Sequence, residues 1–473
     1  MPPATVLISM IDGVRVAVPD SLNLISSYVL REQQDWFEDE IKFLRRLLKP
    51  GHKVIDIGAN FGVYTLSMAR TVGPTGCVWA FEPASSTMEL LAEGVAANGF
   101  ANVVLDRSAL SSTRGTARLS LNEQSEANAL LWGELASGAS ELVSLVTLDE
   151  CRKTYDWNDI AFLKIDAEGE EGKILQGGAR FLDEQSPLIQ YEVKAGRDLH
   201  LELVRNFAAL GYASYRLVPG LDVLVPFDEG CAPDGYLLNL FCCKDDRAKE
   251  LAAQGFLLNT SGGLSALATQ GPSSESLAKH RDSYAGALAI LPYGERLCDL
   301  WKRTMSGAAS TDLDEALTRY MVSRDTSLSS IERYAGLQAS YQVFARMCEH
   351  DSSRMRLASL ARVARDFGAR TQAVAALQRL SNQIFERRQV DANEPFLAPS
   401  ERFDAIPPGQ AIGDWILAGL LEEFERLVAF SSFYTGTAAL PRLEAIQSRG
   451  FGSAEMGRRL HLVQSRFGLA KGQ

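Results

Sequence analysis

The sequence predicts an α/β fold with a mostly parallel sheet covered on both faces, followed by an all-α region. Three observations predict it. Between residues 53 and 244, short near-continuous apolar runs alternate with stretches of helical periodicity, the pattern of strands buried on both faces. Beyond a small, polar, turn-rich segment at 259–276 the strand signals largely stop, and apolar residues recur at helical spacing to the end. The charge divides at the same place: residues 1–250 carry 23 basic and 36 acidic side chains, and the remainder 25 and 23.

A chain of 473 residues, at roughly 100–200 per domain, holds two or three domains. The division read from the pattern is a β/helical cap at 1–50, an α/β domain at 51–250, a linker at 259–276 and a helical domain at 277–473. In the cap, residues 5–18 alternate around the turn signal Asp12-Gly13. Residues 26–48 then read as one helix, with Trp36, Phe37, Ile41, Leu44, Leu47 and Leu48 on its apolar face and Pro50-Gly51 as its stop. Strands are expected at 54–57, 78–81, 103–105, 162–165, 188–192, 212–217 and 237–242, with helices such as 87–98 and 199–210 between them. Residues 116–121 and 142–148 read as extra β segments of an insertion. In the last region Leu357, Leu360, Ala364 and Phe367 share one helical face, Gly368 punctuates, and Ala373, Leu377 and Leu380 continue on a second helix. This hairpin resembles a tetratricopeptide unit, without a second copy in register.

Composition narrows the function classes. Hydrophobic residues at 46% and charged residues at 23% exclude collagen-like, coiled-coil and wholly disordered chains. A net charge of −11 argues against a nucleic-acid or anionic-membrane binder held by bulk electrostatics. The seven cysteines show no Cys-x-x-Cys pair and no grouping with histidine, so neither a disulfide framework nor a zinc site is expected. The first twenty residues lack a basic start, and the apolar runs fall far short of the ~20 residues of a membrane span. The expectation is a cytoplasmic protein without a membrane span.

The motif Val54-Ile55-Asp56-Ile57-Gly58-Ala59-Asn60-Phe61-Gly62-Val63-Tyr64-Thr65 sets a glycine-rich turn between a buried strand and a helix. Such a turn lets backbone approach a ligand, and the helix start offers free N–H groups. Glu82, followed by Pro83, closes the next strand at the distance where nucleotide folds hold a ribose diol. The glycines do not follow the dinucleotide spacing Gly-x-Gly-x-x-Gly. An acid at Asp56 would repel pyrophosphate but suits a cationic amino or sulfonium group, which points to S-adenosylmethionine and weakens a nicotinamide oxidoreductase.

Residues 28–244 resemble the FkbM family of class I S-adenosylmethionine-dependent methyltransferases. The resemblance rests on Asp35-Trp36-Phe37-Glu38, the Asp56 to Thr65 motif, Ala80-Phe81-Glu82-Pro83, Ser108-Ala109-Leu110-Ser111, Val146-Thr147-Leu148-Asp149, Leu163-Lys164-Ile165-Asp166-Ala167-Glu168-Gly169-Glu170 and Ile189-Gln190-Tyr191-Glu192-Val193. It implies a Rossmann-like, seven-stranded, mostly parallel sheet with its last strand antiparallel, and O-methylation of a sugar or other small-molecule hydroxyl. It also implies Gly58, Ala59 and Gly62 along the cofactor's methionine part, Glu82 on its ribose, and Ser108 and Ala109 near its adenine. Asp56, Asn60, Thr65 and Pro83 complete the expected cofactor set. Residues 251–473 gain nothing from the resemblance.

Ligands of open α/β sheets bind outside the carboxyl ends of the strands, where Asp56, Glu82, Asp166, Glu168 and Glu192 would line one crevice. Asp166 or Glu192 is the expected base or acceptor-orienting acid, with Glu168 nearby; a helix-capping role is the alternative for Glu168. Trp36, Phe37, Phe61 and Tyr64 are candidates for an aromatic wall near a sulfonium. His200 is a further candidate base, with a surface role as its alternative. The acids also have the ligand type of Mg²⁺, but no Asp-Asn ligand pair accompanies them and no metal is expected. Pro-Pro occurs only at Pro2-Pro3 and Pro407-Pro408, outside the α/β region, which disfavours a nucleobase aminomethyltransferase. Two readings remain: a methyltransferase of a small-molecule or glycan acceptor, and an interaction protein that retains a cofactor fold. In either, the helical region is available for a homo-oligomer or a protein partner.

Overall fold

The computed structural model describes residues 4–122, 124–125, 128–131, 139–195, 198–258, 274–305, 311–350, 355–387 and 389–469. The chain forms two compact units. One comprises Met1–Leu217, Leu224–Ala232 and Leu237–Asn259; the other comprises Val218–Val223, Pro233–Tyr236 and Thr260–Gln473. Of the expected linker, residues 259–273 lie outside the described residues, and 274–276 open the helix Ser274–Ile290.

The first unit is built on eight strands: β1 Lys53–Ile57, β2 Cys77–Phe81, β3 Val103–Asp106, β4 Ile160–Ile165, β5 Leu188–Glu192, β6 Ala213–Val218, β7 Val223–Pro226 and β8 Asn239–Cys243. Their order across the sheet is β7-β6-β8-β5-β4-β1-β2-β3. β3, β2, β1, β4 and β5 are mutually parallel, whereas β8 runs antiparallel to β5 and β6. This is the Rossmann-like sheet of the class I methyltransferase fold, with its seven expected strands. β7 is an eighth, at the edge. Four residues ending in Pro226 carry too little pattern to mark it in the sequence, and an edge is where a strand proline is tolerated.

Alternation along the strands sorts the apolar side chains to two faces. Val54, Val78, Phe162 and Leu188 pack on one face with Leu66, Ala69 and Phe43. Ile55, Ile57, Phe81, Leu163, Ile165 and Ile189 pack on the other with Leu148, Ile174 and Phe181. The chain progresses from β1 through β2 to β3 on one side and from β4 to β5 on the other. The reversal between β1 and β4 opens a crevice at their carboxyl ends.

The cap begins with an antiparallel hairpin of Thr5–Ser9 and Arg15–Pro19. The single helix expected at 26–48 is in fact two, Ile25–Gln33 and Asp39–Leu47. Gln34 takes a left-handed conformation with φ 57°. Asp35 then accepts two hydrogen bonds from the Arg45 guanidinium, each 2.8 Å, and one from the Trp36 N–H. This side-chain fork holds a break that apolar spacing alone does not register, and it leaves Trp36, Phe37 and Glu38 in the connection. The insertion between β3 and β4 forms a second small sheet, in which Gly115–Ser120 pairs antiparallel with Ser140–Val146.

The second unit is helical among the described residues. Arg356–Phe367 and Arg370–Arg387 form the expected hairpin, with Gly368 at φ 87° closing the first helix. Arg362, buried, donates both terminal nitrogens to the Asp404 carboxylate at 2.8 and 2.7 Å and Nε to the Tyr320 hydroxyl at 3.0 Å. No described helix is long and apolar enough to cross a membrane. All seven cysteines are free thiols.

Candidate functional site

The glycine-rich turn leaves β1 at Ile57 and enters the helix Val63–Val72. Gly58, Asn60 and Gly62 all have positive φ, at 77°, 48° and 84°. Glycine is required at Gly58 for a second reason: a Cβ there would lie 1.7 Å from the carbonyl oxygen of Asp166. The N–H groups of Gly58 and Ala59 both donate to the Phe81 carbonyl at 3.0 Å, which ties the turn to the end of β2. Beside it, Glu82 accepts the N–H groups of Asn60 and Ala84, each at 2.9 Å. Burial pushes the Glu82 carboxyl up to about 7, although both backbone donors oppose the shift.

Asp56, Lys164 and Gln190 are register neighbours across β1, β4 and β5, and they set a polar row into the otherwise apolar face under the helix Val63–Val72. All three are buried, Asp56 and Gln190 at 0% exposure and Lys164 at 5%. Thr65 Oγ1 donates to Asp56 Oδ2 at 2.6 Å. Among the described residues, Asp56 Oδ1 has no hydrogen-bond partner. Burial raises the Asp56 carboxyl against the pull of Lys164 and Thr65. A buried carboxylate oxygen without a donor is costly. It fits a ligand that brings its own cationic donor, as the amino group of S-adenosylmethionine would.

Lys164 Nζ pairs with Asp166 Oδ2 at 2.7 Å and lies 4.9 Å from the centroid of the Tyr64 ring. Burial alone would pull its ammonium down, but Asp166 and Asp56 hold it above its ordinary value. Carboxylate oxygens of Asp166, Glu168 and Glu192 all lie within 4.8 Å of one another. Burial first, then Asp166 and Glu168, push Glu192 up to about 10, so it keeps its proton across the neutral range. Oxygen donors at this spacing match the ligand type of a hard cation, yet exposed acidic groups commonly take the arrangement without one. The N–H groups of Ala167 and Gly169 go to Glu171 Oε1, at 3.0 and 3.3 Å, and Glu170 stands at the N-cap of the next helix.

One cleft at the carboxyl ends of the strands gathers most of the expected residues. Asp56, Gly58, Ala59, Asn60, Glu82, Pro83, Ser108 and Ala109 line it, with Asp166 and Glu168. Gly62 and Thr65 are not on its wall; Thr65 reaches it through Asp56, and Gly62 packs against Leu91. Glu192 is not on the wall, although its carboxylate lies within 4.8 Å of those of Asp166 and Glu168. Trp36, Phe61 and Tyr64 line the cleft, and Phe37 does not. His200 pairs with Glu202 at 2.9 Å and is half-buried, away from the cleft wall. Three charged side chains that line the cleft are absent from the expected site: Glu38, Lys164 and Glu170. The period-two spacing of Lys164 and Asp166 marks one of them in the sequence, since alternate strand residues share a face. Glu38 falls in the Asp35-Trp36-Phe37-Glu38 motif, but its partners Tyr64 and Asn239 come from elsewhere in the chain.

Residues 56–214 match the model of the methyltransferase FkbM domain. Among curated proteins none matches this chain. Solved structures to which it is similar include the FkbM methyltransferase of Methylobacillus flagellatus, at 15% identity and a TM-score of 0.28, covering 41% of this chain and 44% of that one. The match thus spans less than half of that protein. A second is a SAM-dependent O-methyltransferase of Thermotoga maritima, at 14% identity and a TM-score of 0.24, covering 51% of this chain and 78% of that one. A third is a putative rRNA methylase of Clostridium thermocellum, at 10% identity and a TM-score of 0.28, covering 44% and 95%. The glycine turn, the acid closing β2 and the paired acids after β4 all fall within residues 56–214, the segment that matches the methyltransferase FkbM domain.

Proposed function

We propose that the protein is an S-adenosylmethionine-dependent methyltransferase acting on a hydroxyl of a sugar, glycan or other small molecule. The observation that carries the reading is Asp56, a buried carboxylate on the cleft wall with one oxygen lacking a donor among the described residues, beside a turn that lines the same cleft. Asp56, held by Thr65, takes the cofactor's amino group, with Gly58, Ala59, Asn60 and Gly62 shaping the methionine end. Glu82, oriented by two backbone N–H groups and followed by Pro83, takes the ribose diol. Ser108 and Ala109 border the adenine.

When bound, the cofactor supplies an activated methyl carbon and keeps the electron pair of the broken C–S bond, while the acceptor oxygen forms the new C–O bond. The chain's own tasks are to orient the acceptor and to hold the proton that its hydroxyl gives up. Orientation is the larger of the two, since well-placed reactants account for ~7–11 kcal/mol of barrier and a base for about 3–5. Asp166, kept in place by Lys164, is the orienting acid, and Glu168 and the protonated Glu192 extend the polar edge around it.

The test is isothermal titration with S-adenosylmethionine and S-adenosylhomocysteine, followed by tritium transfer from labelled cofactor to a panel of free sugars, glycosides and RNA. Micromolar binding with label appearing in a hydroxyl compound supports the reading. Binding without transfer to any hydroxyl, or label entering RNA, replaces the acceptor class. Absence of binding removes the reading altogether.

A further inference from the structure

Two further acids line the cleft: Glu170, buried and paired with Lys173 at 2.9 Å, and Glu38, which is half-buried. Glu38, in the connection between the two cap helices, lines the cleft. Its Oε2 accepts from the Tyr64 hydroxyl and, at 3.3 Å, from the Asn239 side-chain amide. The Trp36 side chain also bonds to it. Gln190 in turn donates to the Tyr64 hydroxyl at 3.4 Å. Donors from the connection, the helix Val63–Val72 and β8 therefore converge on one carboxylate at the wall. The charged groups facing it are Lys164 and Asp166 from β4 and Glu40 from its own side.

The other acids are already committed. Asp166 is the counter-ion of Lys164. Glu192 holds its proton, and Glu168 is exposed. Tyr64 does not serve as a base, because burial first and then Glu38 and Glu40 keep its phenol well above its ordinary value. Glu38 is different. Burial raises its carboxyl above the ordinary value, while the Tyr64 hydroxyl, Lys164 and Trp36 favour the ionised form.

Resting on the methyltransferase reading, we propose that Glu38 balances the charge of the reaction: a carboxylate while the cofactor carries its sulfonium, and the acceptor of the hydroxyl proton as that charge is lost. Before transfer the cleft holds a cation and an anion. Afterwards the sulfur is a neutral thioether, the methyl group is on oxygen, and the hydroxyl proton is on Glu38, so both charges vanish together. Beside partly buried carboxylates, removing a charge pair together avoids leaving one charge uncompensated, which is the costly state. It also arms the base only when a charged methyl donor is present.

The inference is tested by binding rather than turnover. S-adenosylmethionine and S-adenosylhomocysteine differ at sulfur, and both carry the amino group and ribose that engage Asp56 and Glu82, so proton release from those two acids cancels in the comparison. Titration calorimetry near pH 7, in buffers of different ionisation enthalpy, should show wild-type protein releasing more protons with S-adenosylmethionine, the excess approaching about one. Glu38→Gln should still bind both ligands and lose the excess, with S-adenosylhomocysteine affinity and circular dichroism as folding controls. Tyr64→Phe, which removes a donor to the carboxylate, should move the release to higher pH. An equal release with both ligands in the wild type, or an excess that survives in Glu38→Gln, overturns the proposal and leaves the methyltransferase reading standing. Failure of wild type to bind either ligand overturns that reading itself.

Discussion

Lys164 and Asp166, two residues apart and on one face of β4's end, form an ion pair of 2.7 Å in which the ammonium is almost wholly buried and the carboxylate is one-third open to the cleft. The pair places a fixed positive charge among the acids of the site. Replacing Lys164 by Met should therefore destabilise the first unit. Breaking a fully buried pair costs about 3–5 kcal/mol, and the exposure of Asp166 lowers the expected loss to about 1–3 kcal/mol. Chemical denaturation measures it, and an unchanged midpoint would remove the pair from the account of stability.

Asp56→Asn preserves shape and a contact for Thr65 but removes the charge. Hydrogen bonds to a charged group contribute about 1.5–3 kcal/mol, so affinity for S-adenosylmethionine should fall roughly 10- to 150-fold. Calorimetric titration decides it; undiminished affinity would move the cofactor's amino group away from Asp56.

Gly58→Ala meets two obstacles, a positive φ and a carbonyl oxygen 1.7 Å from the new methyl group. The conformation alone costs about 1–3 kcal/mol, and the overlap forces β4 and the turn apart. Lower thermal stability and loss of cofactor binding should appear together. A variant that melts and binds like wild type would show that the turn has room the geometry denies.

The pH dependence follows from Glu82 and Glu192, whose carboxyls are raised from 4.5 to about 7 and about 10. A raised acid binds its proton more tightly in the folded state, so its stabilising contribution is complete below 4.5 and is lost as pH rises through the folded value. The cofactor-free protein should lose stability from these groups between pH 4.5 and 10. Cofactor binding has the opposite sign at Glu82, because a ribose diol donates to the ionised form. Affinity should rise as pH passes about 7, and Glu82→Gln should flatten that rise. A wild-type affinity independent of pH from 6 to 8 would contradict the ribose assignment.

In the helical unit, Arg362→Met should lower stability by about 3–5 kcal/mol, since it leaves the Asp404 carboxylate without its two-pronged partner. Differential scanning calorimetry measures the effect on the second unit's transition, and cofactor titration of the same variant serves as the control.

Much of the sheet was legible because its strands are short apolar runs bounded by glycine, proline and acid, and because period-two alternation needs no knowledge of neighbours. The positions of Asp56, Gly58 and Glu82 were equally legible, because they sit at strand ends whose order follows from the chain. Segments governed by side-chain contacts were not. The helix break at Gln34 depends on Asp35 meeting Arg45, and β7 depends on an edge that exists only once β6 and β8 have paired.

The sequence by itself determined the α/β class, the glycine-rich turn and the acids that end β1, β2, β4 and β5, since each is a local pattern with a local physical cause. Only the tertiary structure decided what those acids face. Lys164 next to Asp166, Gln190 beneath Tyr64, and Glu38 held by Tyr64, Trp36 and Asn239 join residues up to 201 positions apart. Burial and the nearest opposite charge set which of these carboxyls ionise, and neither exists until the chain has folded.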